Sequence, residues 1–168
     1  NSSKIFNNKT NISLFINSNA NEKNFYELSK NKYEIVHFAT HAISGNSKQP
    51  AAIVLSTEDK EKYDGILTPY EIARSGVHAD IVILSACSTA FRQNNLKYGI
   101  DGLVQGFLFN DSKAIIATIF PIEDQFTSYF LPKLMNNFLN DEKKSLNRAY
   151  NNTISNLVDS TKNYNPYF

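Results

Sequence analysis

Two continuous apolar runs stand out of an otherwise mixed chain: YEIVHFATHA (residues 33–42) and IVILSAC (residues 81–87). Neither alternates polar with apolar residues as a half-exposed strand does. Both therefore read as strands buried on two faces, the first of them central in a parallel sheet. NISLFI (11–16), AAIVLST (51–57) and KAIIATIF (113–120) read as further strands. Helix-period patterns fill the spaces between, over about 22–30, 67–76, 101–109, 124–139 and 143–157. The segment LTPYEIARSG has the strongest start signal, with Thr68 as N-cap, Pro69 at the first helical position and Glu71 placed to complete a capping box. The polar EDKEKYDG reads as a hairpin tip, and ISGNSKQP as a loop punctuated by Gly and Pro.

Strands alternating with helices predict an α/β protein with a mostly parallel sheet. In such sheets the carboxyl ends of the strands form the ligand crevice. His41, Cys87 and the segment after Phe120 all fall at or just past predicted strand ends. No internal repeat or linker divides the chain, so residues 1–168 are expected to form a single domain. The polar residues 1–10 are expected to be flexible.

Composition narrows the partners. The formal net charge is +1, so no global field points to direct nucleic-acid binding or to an anionic membrane. No apolar run approaches the roughly 18 residues of a bilayer span, and the first residues show no charged-then-apolar leader pattern. With a single cysteine, neither an intramolecular disulfide nor a thiolate zinc cage can form. A reducing, cytoplasmic compartment is the expectation.

That lone cysteine is the sharpest chemical feature. A free thiol has a pKa of about 8.5 and needs a base to act as a nucleophile near neutrality. Two parallel strands that stop at one sheet edge would bring Cys87 beside His41. The backbone N–H groups of Cys87 and Ala42 are the candidate oxyanion donors. No Asp or Glu is an obvious third member, so a dyad is expected. The bland alternatives are a buried, inert cysteine and a histidine that merely ends a strand. His37 and His41 form an HxxxH pair, but Phe38 stands where a zinc peptidase has its Glu, and the segment reads as strand. No metal and no cofactor is expected. His37 reads as a satisfied core histidine and His78 as a loop residue. Ser85 and Ser88 flank the thiol closely enough to hydrogen-bond near it. No GxSxG elbow, P-loop or GxGxxG is present.

Taken in order, HFATHA, LTPYEIA, IVILSACST, GIDGLVQGFL and AIIATIFPIEDQFT resemble blocks of the CHAT family of caspase-like cysteine peptidases, which is related to separase. The likeness runs over about residues 12–157. The resemblance implies a caspase-like α/β/α sandwich, with His41 as base and Cys87 as nucleophile of peptide-bond cleavage. It also implies that Asp124 lines the S1 pocket and selects Arg or Lys before the scissile bond; the alternative for Asp124 is a helix N-terminal role. It implies a protein or peptide substrate, and a regulatory sensor domain or partner protein of the kind found in bacterial defence. Three departures stand out. Ala42 replaces the glycine that usually follows the histidine, Phe120 replaces a tryptophan, and the upstream strand and helix of the family are expected to be lacking. A catalytically inactive pseudo-peptidase acting as an interaction module is the competing reading.

Overall fold

The computed structural model describes residues 11–43, 45, 48–57, 61–85, 100–117 and 124–161. The chain divides into two compact units, one of Ser13–Ile122 and one of Asn1–Ile12 with Glu123–Phe168. The loose tail expected over 1–10 lies outside the described residues.

The first unit is built on a three-stranded parallel sheet. Strand β1 is Lys32–Phe38, and it pairs with a strand formed by His78–Leu84. Between them in sequence come β2 (Ala42–Ile43), β3 (Ala52–Val54) and β4 (Ile66–Leu67), which form a separate antiparallel sheet in the order β2-β3-β4. His78–Leu84 is therefore β5, and β6 is Ala114–Ala117. The parallel order is β1-β5-β6, with Val36 opposite Val82 and Val82 opposite Ile115. The α/β class with a parallel sheet is as expected; the small antiparallel sheet adds to it.

Four expectations need correction. Residues 11–16 form no strand: Ile12, Leu14, Phe15 and Ile16 are exposed, because β-propensity alone cannot hold a strand that has no ladder partner. The first apolar run is not one strand. It leaves the parallel sheet at Phe38, and its last residue, Ala42, opens β2. Nor is β1 central among the described strands, since it pairs only with β5. His78 lies in no loop. It is the first residue of β5, opposite Lys32, and its Nδ1 lies 3.1 Å from the Asn110 carbonyl oxygen.

Strand β5 is the spine. Ile81, Val82, Ile83 and Leu84 are all buried, as a strand covered on both faces requires. Val82 and Leu84 share one face with Val36 and Phe38 of β1 and join a single hydrophobic cluster. Helices α2 (Pro69–Arg74) and α3 (Ile100–Leu108) cover that face through Ile72, Leu103 and Phe107. Phe38 and Phe107 rings meet at 5.5 Å between centroids. Each such fully buried side chain stabilises the fold by roughly 1.5–3 kcal/mol.

Local chemistry explains where these helices start and how closely they pack. The Thr68 Oγ1 accepts from the Glu71 N–H, and the Glu71 carboxylate accepts from the Thr68 N–H at 2.8 Å, completing the expected capping box. Helix α1 (Glu22–Glu27) is capped by Asn21, whose Oδ1 accepts from the Asn24 N–H at 2.8 Å. Gly106 lets α3 lie directly on α2, because a Cβ there would sit 2.8 Å from the Pro69 carbonyl oxygen.

In the second unit, α4 (Asp124–Leu139) and α5 (Leu146–Thr161) pack on one another. Phe130 meets Tyr150 edge-on, and the Asn137 amide donates to Thr153 Oγ1 at 2.8 Å. Thr153 Oγ1 in turn donates to the Ala149 carbonyl, so the buried Thr153 hydroxyl is satisfied. Among the described residues no helix is long and apolar enough to cross a membrane.

Candidate active site

The site is framed by the carboxyl ends of β1 and β5. In a parallel pair the two ends point the same way, and the register sets Phe38 opposite Leu84. The ladder continues one step further, where the Ser85 N–H donates to the Phe38 carbonyl at 2.9 Å. Continuing along the chain, His41 and Cys87 stand at the same offset from this Phe38–Leu84 pair.

His41 is exposed and sits where the chain passes from one sheet to the other. Its carbonyl accepts from the Val54 N–H at 2.9 Å. One residue earlier, Thr40 Oγ1 donates to the Val54 carbonyl at 2.7 Å. Val54 thus holds the His41 carbonyl through its N–H and the Thr40 hydroxyl through its carbonyl. Sequence reading missed this role for Thr40 and Val54, because a hairpin's register is not written in either segment alone.

Ala42 follows as the first residue of β2, opposite Ile53. The Val54-to-His41 bond makes Ala42–Ile53 a non-hydrogen-bonded pair, so the Ala42 N–H points away from β3. Among the described residues only Asn17, Asp111 and Lys144 have positive φ outside glycine. Alanine in place of glycine therefore carries no backbone strain at position 42.

His37 lies on the opposite face of β1 from Phe38, and its Nε2 is 2.8 Å from Ser85 Oγ. It is hydrogen-bonded, as expected, but it is not a core residue, because it is exposed. The protein packed around the ring desolvates it and lowers its pKa below the ordinary histidine value. The ring is therefore neutral near pH 7, with one nitrogen as donor and one as acceptor.

The other predicted residues are placed less fully. Cys87 and Ser88 lie outside the described residues, as does Phe120. Asp124 is the first residue of α4, in the second unit, and its carboxylate is not among the described side chains. Among the described residues no group of three or more His, Cys, Asp or Glu is arranged to hold a metal.

A parallel α/β sheet whose carboxyl edge leads into an exposed histidine, with a lone cysteine following the neighbouring strand, is the class defined here. The CHAT domain model matches residues 3–168, and the chain belongs to the CHAT domain family, which is associated with caspase-like cysteine peptidases. No curated protein and no solved structure matches the chain significantly.

Proposed function

We propose that this chain is a caspase-like cysteine endopeptidase domain using a His41–Cys87 dyad. The observation that carries the reading is the pairing of β1 with β5, whose adjacent carboxyl ends lead at equal offset to the imidazole and the thiol. Membership of the CHAT family supports the same chemistry.

In this reading His41 removes the proton from Cys87, and the thiolate sulfur attacks the scissile carbonyl carbon. The oxyanion that forms is held by the N–H groups of Cys87 and Ala42; the outward direction of the latter relative to β3 suits it to that task. Collapse of the tetrahedral intermediate breaks the C–N bond, and the His41 imidazolium gives its proton to the departing amine. A water deprotonated by His41 then hydrolyses the thioester and regenerates the thiol. Asp124 selects Arg through a bidentate pair, or Lys as a point charge, at the residue before the cut. A sensor domain or partner protein regulates the activity, and protein substrates are its targets.

The test is intact-mass analysis after incubation with an Arg-P1 peptidyl electrophile, beside a His41→Ala control. One adduct on the single cysteine that depends on His41 is the expected result. No adduct, with the thiol still open to a small alkylating reagent, would favour a pseudo-peptidase that binds a partner segment.

A further inference from the structure

His41 stands where the chain leaves β1 and enters β2, so its place depends on how the antiparallel sheet is held against the parallel one. Among the described residues no strand ladder joins the two sheets. Ile53 and Leu67 share the hydrophobic cluster with Phe38, but apolar contact is non-directional and sets no register. Helix α1 adds a directional link. Its Phe25, buried at 4% exposure, lays its ring 5.9 Å from that of Phe38, the last residue of β1. Three residues earlier on the helix, the buried Glu22 reaches the other sheet, where its Oε2 accepts from the Gly65 N–H at 2.6 Å.

Gly65 passes that hold to the candidate base. Its carbonyl accepts from the Leu55 N–H at 2.8 Å, and the preceding residue, Val54, donates its own N–H to the His41 carbonyl at 2.9 Å. Gly65 has a φ of +81°, and a Cβ there would stand 2.5 Å from Thr57 Oγ1 and 2.7 Å from the Leu55 carbonyl oxygen, so the position requires glycine. A second strap lies beside the first. The Ser56 N–H donates to the Ala20 carbonyl at 2.8 Å, and the Ser56 hydroxyl donates to the Asn17 carbonyl at 2.6 Å. Without the Glu22 carboxylate, the buried Gly65 N–H would lose its acceptor.

We propose that Glu22 is a positioning residue for His41: through Gly65, Leu55 and Val54 it sets where the main chain of the base stands relative to the end of β1. Glu22 touches none of the reacting atoms. The inference rests on the reading of His41 as the base of a peptidase.

Two readouts at pH 7 test it on the whole chain. Native-state amide exchange at Val54 reports the bond to His41 directly, with Leu55 beside it and the buried Val82 of β5 as the reference for global opening. Steady-state cleavage of an Arg-P1 peptide gives kcat and KM separately. Glu22→Met fills the space without an acceptor. It should speed exchange at Val54 and Leu55 about tenfold more than at Val82, and lower kcat about tenfold with KM nearly unchanged. Glu22→Gln, whose amide oxygen can still accept from Gly65, should keep both readouts near wild type. Should Glu22→Met fail to fold, Glu22→Asp draws the carboxylate back by one methylene and gives the same comparison with smaller shifts. Val54 exchange that merely tracks Val82 overturns the inference, because the hold then stops short of His41. So does a loosened Val54 with wild-type kcat. In both cases wild-type cleavage that His41→Ala abolishes leaves the dyad reading standing. Cleavage that is absent from the wild type, or that survives His41→Ala, would overturn the dyad reading and the positioning role with it.

Discussion

The carbonyl oxygen of His41 accepts a 2.9 Å hydrogen bond from the Val54 N–H, tying the candidate base to the middle of the small antiparallel sheet. Thr40 reinforces the tie through its hydroxyl on the Val54 carbonyl. Thr40→Val keeps the shape and removes this bond, so it should cost about 1 kcal/mol in urea unfolding. If His41 is the base, peptide cleavage should fall further than stability does, because the segment carrying the imidazole loses one of its two bonds to Val54. Thr40→Ser should retain most of both. Equal, small losses in the two assays would show that the hydroxyl serves the fold alone.

Asp124 separates two roles cleanly, as a substrate carboxylate or as a first-turn helix charge. In the peptidase reading, Asp124→Asn should lower kcat/KM on an Arg-P1 peptide by on the order of a hundredfold. Alkylation of Cys87 should be untouched. A role at the start of α4 would instead show as a loss of about 0.3–1 kcal/mol of stability with no change in P1 preference.

Gly106 sits in the middle of α3, where alanine should be the better helix former by about 1 kcal/mol. Contact with α2 outweighs that gain. A Cβ would meet the Pro69 carbonyl oxygen at 2.8 Å and Ile72 side-chain carbons at 3.1 Å. Backbone cannot yield as a flexible side chain can, so Gly106→Ala should destabilise by about 1–3 kcal/mol in thermal or chemical unfolding. Gly102→Ala, whose nearest neighbour is Pro69 Cγ at 3.2 Å, should be distinctly milder.

Glu22 gives the fold a pH dependence of definite sign. It exposes only 2% of its surface, and its Oε2 accepts from the Gly65 N–H at 2.6 Å. It lies just beneath the exterior, and desolvation pushes its pKa above 4.5, helped by the negative charges of Glu71 and Asp64 against the opposing Gly65 bond. A raised carboxyl pKa means that the folded state holds the proton more tightly than the unfolded one. This contribution is present below about pH 4.5 and is lost as pH rises through the folded-state value. Glu22→Gln carries no charge, and its amide oxygen can still accept from Gly65. Denaturant unfolding from pH 4 to pH 8 should therefore show the variant gaining on the wild type as pH rises. A difference that stays flat across this range would contradict the assignment.

Much of the local structure was legible because its causes lie within a few residues. Thr68, Pro69 and Glu71 announce α2, and α4 begins at Asp124 and ends at Leu139 as the periodicity predicts. Reading failed where an outcome depended on a distant partner. NISLFI has a strand's composition but lies exposed, and the run through His41 divides between two sheets. His37 and Ser85 were each noticed alone, yet nothing in either segment announces that they would meet.

Residue type and order by themselves determined the α/β alternation, the helix starts and the pairing of one thiol with one imidazole as candidate chemistry. They could do so because hydrophobic periodicity, capping and nucleophile chemistry are local or compositional properties. The tertiary structure alone decided that β5 is the spine, that Val54 anchors His41 and that His37 bonds Ser85. Those outcomes depend on strand order and register, and register is fixed only when two remote segments bury their apolar faces together.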